Sequence, residues 1–414
     1  MKILMINHFP LTGSGSGTYT RNLAVHLAAL GHEVRIILPE NTDRFMIPDG
    51  VGIHPVFFTP EDAVHDNRRQ ETTGASMDTA LPFNFPCFTS HPRSSLTFGD
   101  LTDEQLAMYT EAFRNAIDQE TEAFCPDVTH AQHVWILAAL AARKDVPLVI
   151  TTHGTDLMGY DKWPALRHYA EEAAQACNTV ISISKDNSAL LKARFPGCAD
   201  RIVLLRTGYD PSVFYPEKLT RKEVLGRYWI DASEYEGKRI VTYAGKLTWF
   251  KGVDILLEAI RLYEEKDPAT LTLIVGDGDE RSNLQWRAKD LKLKSVRFLD
   301  SVDQQELRRI FSITDVFLIP SRHEPFGRGA LEAMGCGVPV IATDQGGLPD
   351  LVNPEVGRLV RPSDPEDLAD IVIDVLADIS DEWRDRIASY ARNRYAQDSI
   401  TQELVEIYRK SSEH

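Results

Sequence analysis

Cysteine is scarce in this chain. Its 414 residues hold five, Cys87, Cys125, Cys177, Cys198 and Cys336, an odd number with no C-x-x-C pair. That spacing argues against a disulfide framework and points to reduced thiols. Long hydrophobic runs are missing as well. No stretch approaches the roughly 20 apolar residues of a membrane span. The opening "MKILMINHFP" reaches His8 too soon for a signal peptide. A cytoplasmic location is expected, with peripheral membrane contact and a homodimer both left open. Positive charge is in deficit: 45 Lys and Arg stand against 61 Asp and Glu, a net −16. A nucleic-acid binder needs a basic footprint, so nucleic acid is not an expected partner. A small anion needs only a few local cations. Short repeats and low-complexity tracts are absent too.

What is present is a long alternation of strand and helix patterns. "KILMIN" is a buried apolar run, "LTGSGSGTY" a Gly/Ser loop, "TYTRNLAVHLAALGHE" an amphipathic helix stopped by Gly31, and "VRIILP" the next strand. Such a βαβ opening implies a parallel sheet. A helix over about 102 to 124 is predicted from the Thr102/Gln105 capping box and an inward row of Leu106, Tyr109, Phe113 and Ile117. A second series of short β-branched runs starts near 239. The length calls for two domains, with a boundary between about 205 and 237, where "YDPSVFYPEKLT" carries two prolines. The expected domains are 1–205 and 206–384, with a C-terminal helix of about 385–414 packing back on the first. The fold class is α/β, two doubly wound Rossmann-like domains. Residues 58–100 break the rhythm: they read as a polar, aperiodic, functional loop.

Four stretches carry candidate chemistry. In "GSGSGT", Gly15 and Gly17 would let backbone N–H groups approach an anion at a helix start, although the dinucleotide spacing G-x-G-x-x-G is absent. In "YAGKLTWFKG", Lys246 and Lys251 lie between a strand and a helix and could hold a diphosphate. "IVGDGDE" reads as a structural turn. In "HEPFGRGALEAMGCG", Pro325 and Gly327 break the path, and a helix begins near Arg328 or Gly329. Its first N–H groups make an anion site. Glu324 stands before the helix, within reach of a sugar hydroxyl. Glu332, inside it, could accept two hydroxyls of a ribose. His130 and His133 in "THAQH" lack a nearby acid to complete a metal set, so no metal is expected and His133 is assigned a polar role in an acceptor site.

These motifs, with "THGTDL", "ISISK" and "GYDPSVF", resemble the retaining glycosyltransferases of family 4, which have the GT-B fold with two domains facing a cleft. The resemblance covers nearly the whole chain and is densest from Tyr243 to Asp350. It implies that Lys246 and Lys251 hold the donor diphosphate, that Glu324 binds the sugar and Glu332 the ribose, that the N–H groups of Phe326, Gly327, Arg328 and Gly329 face sugar and phosphates, and that His153 sits beside the transferred sugar. His153, Glu324 and Lys251 are then the catalytic candidates. Three departures stand out: Lys246 where Arg is usual, Thr207 where the linker usually has Asn, and no Gly near Asp300. Within the family, "GSGT", "THGTDL" and the modest length are partly similar to the enzymes that join N-acetylglucosamine to malate in bacillithiol formation. The expectation is a retaining, metal-independent hexosyltransferase with a nucleoside-diphosphate sugar, UDP-N-acetylglucosamine or UDP-glucose, as co-substrate and no cofactor. The acceptor is a small polar molecule or natural product, contacted by His133, Arg206 and Arg93. Arg93 belongs to "SHPRSS", which with Arg68, Arg69 and His91 gives the 58–100 loop its cations. The rival readings are a sugar-nucleotide epimerase or hydrolase on the same fold, and a non-catalytic binding protein.

Overall fold

The computed structural model describes residues 1–60, 80–142, 145–267 and 269–412. Arg68 and Arg69 lie outside the described residues. The chain forms two compact units, Met1–Arg206 together with the residues from Ile400 on, and Thr207–Ser399.

The first unit is built on β1 (Lys2–Ile6), β2 (Glu33–Glu40), β3 (Val51–Phe57), β4 (Val128–Gln132), β5 (Leu148–Thr151), β6 (Thr179–Ser182) and β7 (Ile202–Leu204), in the order β3-β2-β1-β4-β5-β6-β7 with every pair parallel. The two-residue period of β1 explains how its apolar run is covered on both faces. Leu4 and Ile6 join one core with Tyr109, Phe113 and Ile117, while Ile3 and Met5 join another with Leu23, Leu27, Leu404 and Tyr408. The predicted capping-box helix spans Asp103–Phe124, with Thr102 and Gln105 closing the box.

The segment after Phe58 corrects the sequence reading. From residue 80 it is not a polar surface loop. Phe83, Phe85, Cys87, Phe88 and Phe98 are all buried in the first unit's core. Short bridges such as Cys87 with Thr97 and His91 with Ser94 hold the chain there. Its apolar residues follow neither a helix nor a strand period, so pattern reading misses them.

The second unit repeats the plan. β8 (Arg239–Ala244), β9 (Thr270–Val275), β10 (Val296–Leu299), β11 (Val316–Ile319), β12 (Val340–Thr343) and β13 (Gly357–Val360) run parallel in the order β10-β9-β8-β11-β12-β13. The C-terminal region is two helices rather than one. Asp381–Tyr395 stays with the second unit, Ala396 breaks the path in an extended conformation, and Gln397–Ser412 follows. At the break, Tyr209 N–H donates to Tyr395 O and Gln397 N–H to Tyr209 O. A Cβ on Gly208 would come within 2.8 Å of Gln397 Cα, which accounts for glycine in "TGYD".

Each sheet reverses its strand order once, between β1 and β4 and between β8 and β11. Doubly wound sheets bind ligands outside the carboxyl ends of their strands at such a point. Several of the candidate residues lie at these two points.

Candidate active site

In the second unit the switch point is built by three loops. After β8 the chain runs through Lys246 to a short turn, Trp249–Lys251, and Gly252. Gly252 has φ +67°, and a Cβ there would lie 2.0 Å from Pro320 O, so only glycine lets this turn press on the end of β11. The result is that Lys251 Nζ meets Glu324 Oε2 at 2.6 Å, with side chains 21% and 14% exposed. Ser321 Oγ contacts the same oxygen at 3.5 Å. Lys246 lies five residues earlier, its carbonyl accepting from Tyr243 OH at 3.0 Å.

Glu324 leads into Gly327, φ +100°, which starts the helix Arg328–Gly335 with no side-chain cap. The absence of a cap leaves the helix start to the dipole and the backbone amides. Phe326 is buried. Gly329 lies against Phe317, 3.3 Å from where its Cβ would be. One turn along, Arg328 Nη2 donates to Glu332 Oε1 at 3.3 Å. Burial pushes the Glu332 carboxyl above its ordinary range, opposed by the Arg328 charge and a hydrogen bond from Gln304.

Two supports of this loop have no role assigned from the sequence. Gly346 and Gly347 in "DQGGLPD" lie directly behind it: Cβ atoms there would stand 2.2 Å from Glu324 O and 2.4 Å from Pro325 O, and Gly347 N–H donates to Glu324 O at 2.9 Å. Arg322 clamps the Lys251 turn, with both guanidinium nitrogens 2.7 Å from the Asp254 oxygens and its N–H on Phe250 O at 2.8 Å. Burial pushes the Asp254 carboxyl up, but the Arg322 fork more than offsets it and holds it below the usual range. The turn "IVGDGDE" is structural: Gly276 and Gly278 pack their backbone on Gly245 O and Leu247 O.

In the first unit the carboxyl ends of β1, β4 and β5 bring three histidines together. The rings of His8 and His133 are 5.7 Å apart, and those of His133 and His153 4.8 Å. His133 adopts φ +81°, an uncommon conformation for a residue with a Cβ. It is fully buried, and neither of its ring nitrogens has a hydrogen-bond partner among the described residues. The same holds for His8 Nε2 and Trp135 Nε1. Phe9, Phe88 and Phe98 wall this cluster. Burial lowers the pKa of His8 to about 3 and that of His133 well below its ordinary value, the latter helped by His153 and His8. These rings are neutral hydrogen-bonding groups at neutral pH.

His153 is placed by Asp156. One carboxylate accepts from His153 N–H at 3.2 Å and from Val134 N–H at 3.0 Å, so it ties the β5 loop to the β4 loop. Burial raises Asp156 to about 6, against several backbone hydrogen bonds that lower it. The Asp of "THGTDL" was the available signal, but its partner Val134 has no mark in the sequence. His8 carried no signal either.

The remaining candidates are scattered. Gly15 and Gly17 belong to the first turn of the helix Gly15–Ala29 rather than to the loop before it. Ser14 Oγ accepts from Gly17 N–H at 3.0 Å, and a Cβ on Gly17 would strike Pro10 O at 2.0 Å. Arg93 is engaged by Glu40 at the end of β2, Nη1 to Oε2 2.8 Å, so its charge is already matched, although Nη2 is buried with no partner among the described residues. His91 Nε2 contacts Thr12 O at 3.0 Å and its ring lies against Gly13. Arg206 follows β7, at the other edge of the sheet, with Nε buried and unpartnered among the described residues. The fold does not bring Arg93 and Arg206 to one place. Among the described residues no group of three or more His, Cys, Asp or Glu is placed to hold a metal ion, and no helix is long and apolar enough to cross a membrane.

Two Rossmann-like units, each with polar residues at its switch point, define the GT-B architecture, and comparison with known proteins gives the family. Residues 14–208 match the glycosyl transferase 4-like domain and residues 230–394 match glycosyl transferases group 1. The chain is 28% identical over 422 residues to the glycogen synthase of Mycobacterium tuberculosis, covering 96% of this chain and 91% of that one. It is 28% identical over 348 residues to the D-inositol 3-phosphate glycosyltransferase of Saccharomonospora viridis, covering 77% and 78%. Among solved structures, Anabaena HepE in complex with UDP-glucose superposes with a TM-score of 0.71 at 18% identity, covering 99% of this chain and 100% of that one. The two glycosyl transferase models together span most of the chain, which belongs to the glycosyltransferases of the GT-B fold and uses a nucleotide sugar.

Proposed function

We propose that the chain is a retaining, metal-independent hexosyltransferase that moves glucose or N-acetylglucosamine from its UDP sugar to a small polar or natural-product acceptor. The observation that carries the reading is the Lys251–Glu324 pair beside the uncapped helix that presents Glu332. A cation, a run of amides and two acids there match the needs of a diphosphate, a sugar and a ribose. Lys246, Lys251 and the N–H groups of Phe326, Gly327, Arg328 and Gly329 stabilise the leaving diphosphate, Glu324 binds the sugar and Glu332 the ribose. Gly15 and Gly17 are donor contacts. His153 lies beside the transferred sugar, and His133, Arg206 and Arg93 are the acceptor contacts. The acceptor oxygen bonds to the anomeric carbon on the face the diphosphate leaves, and its proton passes to the departing phosphate oxygen. Fixed positive charge does the work usually given to a cation. The UDP-glucose in the HepE complex supports a uridine donor, and the name of the inositol-phosphate relative supports a small polar acceptor.

The test is a panel of UDP sugars with pooled hydroxyl acceptors, read by mass spectrometry, followed by the anomeric coupling constant of the product. An inverted product overturns retention. Steady conversion of donor with no acceptor present would favour an epimerase or hydrolase instead.

A further inference from the structure

Beneath His153 the interior of the first unit holds a chain of hydrogen bonds that the roles above leave unused. His153 Nε2 contacts Gln132 Oε1 at 2.9 Å. The amide nitrogen of Gln132 faces His130 Nε2 at a longer 3.4 Å, and Thr151 Oγ1 meets the same nitrogen at 2.8 Å. On the far side of that ring, His130 Nδ1 contacts Tyr408 OH at 2.6 Å. Tyr408 comes from the C-terminal helix, 278 positions away. Gln132, His130, Thr151 and Tyr408 are all fully buried, so no water can substitute for a missing partner.

With the Gln132 amide oriented so that Oε1 faces His153, the donor and acceptor inventory assigns the protons. Gln132 Oε1 can only accept, so His153 Nε2 carries a hydrogen. Gln132 is then left with its NH₂ toward His130. That group and the Thr151 hydroxyl both donate to His130 Nε2, which must be bare. His130 Nδ1 therefore holds the hydrogen and donates it to the Tyr408 oxygen. Burial, with His153 nearby, lowers the pKa of His130 to about 3, consistent with a neutral ring that has one tautomer.

We propose that Gln132 and His130 are positioning residues for His153, and that Tyr408, returned by the C-terminal helix, sets the tautomer and orientation of this relay. The relay rests on geometry alone; its effect on turnover rests on the reading of His153 as lying beside the transferred sugar. The C-terminal helix is then part of the apparatus that orients the site and not only a cover for the core.

The experiment uses the full chain with ¹⁵N-labelled histidine, long-range ¹H–¹⁵N correlation spectra, UDP titration and turnover. In the parent protein His130 is expected as the Nδ1–H tautomer and His153 with Nε2–H. Tyr408→Phe removes the acceptor for His130 Nδ1–H. It is expected to convert His130 to the Nε2–H form, shift the His153 ring signals, and lower kcat about tenfold with the Kd for UDP unchanged. Ser411→Ala is the control, since it removes a contact with Thr179 from the same helix (2.8 Å) without touching the relay; it should leave the tautomers and kcat alone. Where Tyr408→Phe fails to fold, Gln132→Glu and Gln132→Leu serve. Glu keeps an acceptor for His153 and should move the pH profile of kcat upward, while Leu should lower kcat with no such shift. A parent His130 in the Nε2–H form overturns the relay, as does Tyr408→Phe behaving like Ser411→Ala. A shifted His153 ring with unchanged kcat keeps the relay and overturns the placing of His153 beside the sugar.

Discussion

Lys251→Ala separates two jobs that the Lys251–Glu324 pair could perform. The ammonium lies 2.6 Å from Glu324 Oε2, with both side chains mostly covered. Loss of one partner from an exposed pair costs about 0–1 kcal/mol and from a buried pair about 3–5, so this intermediate pair should cost about 2 kcal/mol. For a unit of this size that lowers Tm by roughly 4–8 °C. The kinetic effect should be larger. Negative charge grows on the diphosphate as it leaves, and losing one preorganised donor to such charge costs about 10²–10³-fold in kcat. Binding of the intact donor should weaken less, because its charge is not yet fully developed. The assay is steady-state turnover alongside titration calorimetry with UDP. A double variant, Lys251→Ala with Glu324→Gln, decides the mechanism. If Lys251 acts on the phosphate, the double variant turns over far more slowly than Glu324→Gln alone. If the two match, Lys251 only neutralises Glu324 and the reasoning fails.

Glu332→Ala should weaken UDP binding by roughly 1.5–3 kcal/mol, the scale of a hydrogen bond to a charged group, with the fold intact; unchanged calorimetry would remove the ribose role. Asp156 should leave a pH signature, because burial raises it from 3.8 to about 6. The stability tied to its protonated form is full well below pH 3.8 and is lost as pH rises through 6, so the parent should lose about 3 kcal/mol against Asp156→Asn between pH 3 and 7; a difference that does not vary with pH contradicts this. Gly346→Ala should destabilise more than Gly31→Ala. Both have positive φ, but an added Cβ at Gly346 meets Glu324 O at 2.2 Å and at Gly31 meets nothing within 4 Å; equal losses in Tm would mean that backbone strain alone matters there.

The fold was legible because its signals are local. β1 announces itself by five apolar-rich residues ended by a turn, and the helix Asp103–Phe124 by a capping box and a helical row of apolar residues. Parallel strands joined by helices allow few other topologies. The acids proposed for the donor stand out in the sequence for a similar reason. Glu324 and Glu332 flank a Pro–Phe–Gly break and a helix start, features written within a dozen residues. The segment 80–100 was not legible. Its Phe83, Phe85, Phe88 and Phe98 reach the core without a period, and its prolines and serines dominate any windowed reading. Arg93 looked like a spare cation because Glu40, its partner, lies 53 positions away.

That last point extends to other supports of the site. Lys251 finds Glu324 across 73 positions, Arg322 finds Asp254 across 68, and Tyr408 finds His130 across 278. A residue that contacts a ligand tends to sit in a motif, because the ligand fixes the spacing of the groups around it. A residue that holds such a group in place answers only to the fold, and any pair of elements the fold brings together can supply it. Gly346 shows the consequence. In the sequence it is one glycine of a turn, and its meaning appears only when the carbonyl of Glu324 is found 2.2 Å from its missing Cβ. The charged groups of the proposed donor site could therefore be read from the chain, whereas the rigidity that makes preorganised charge effective had to be read from the packing.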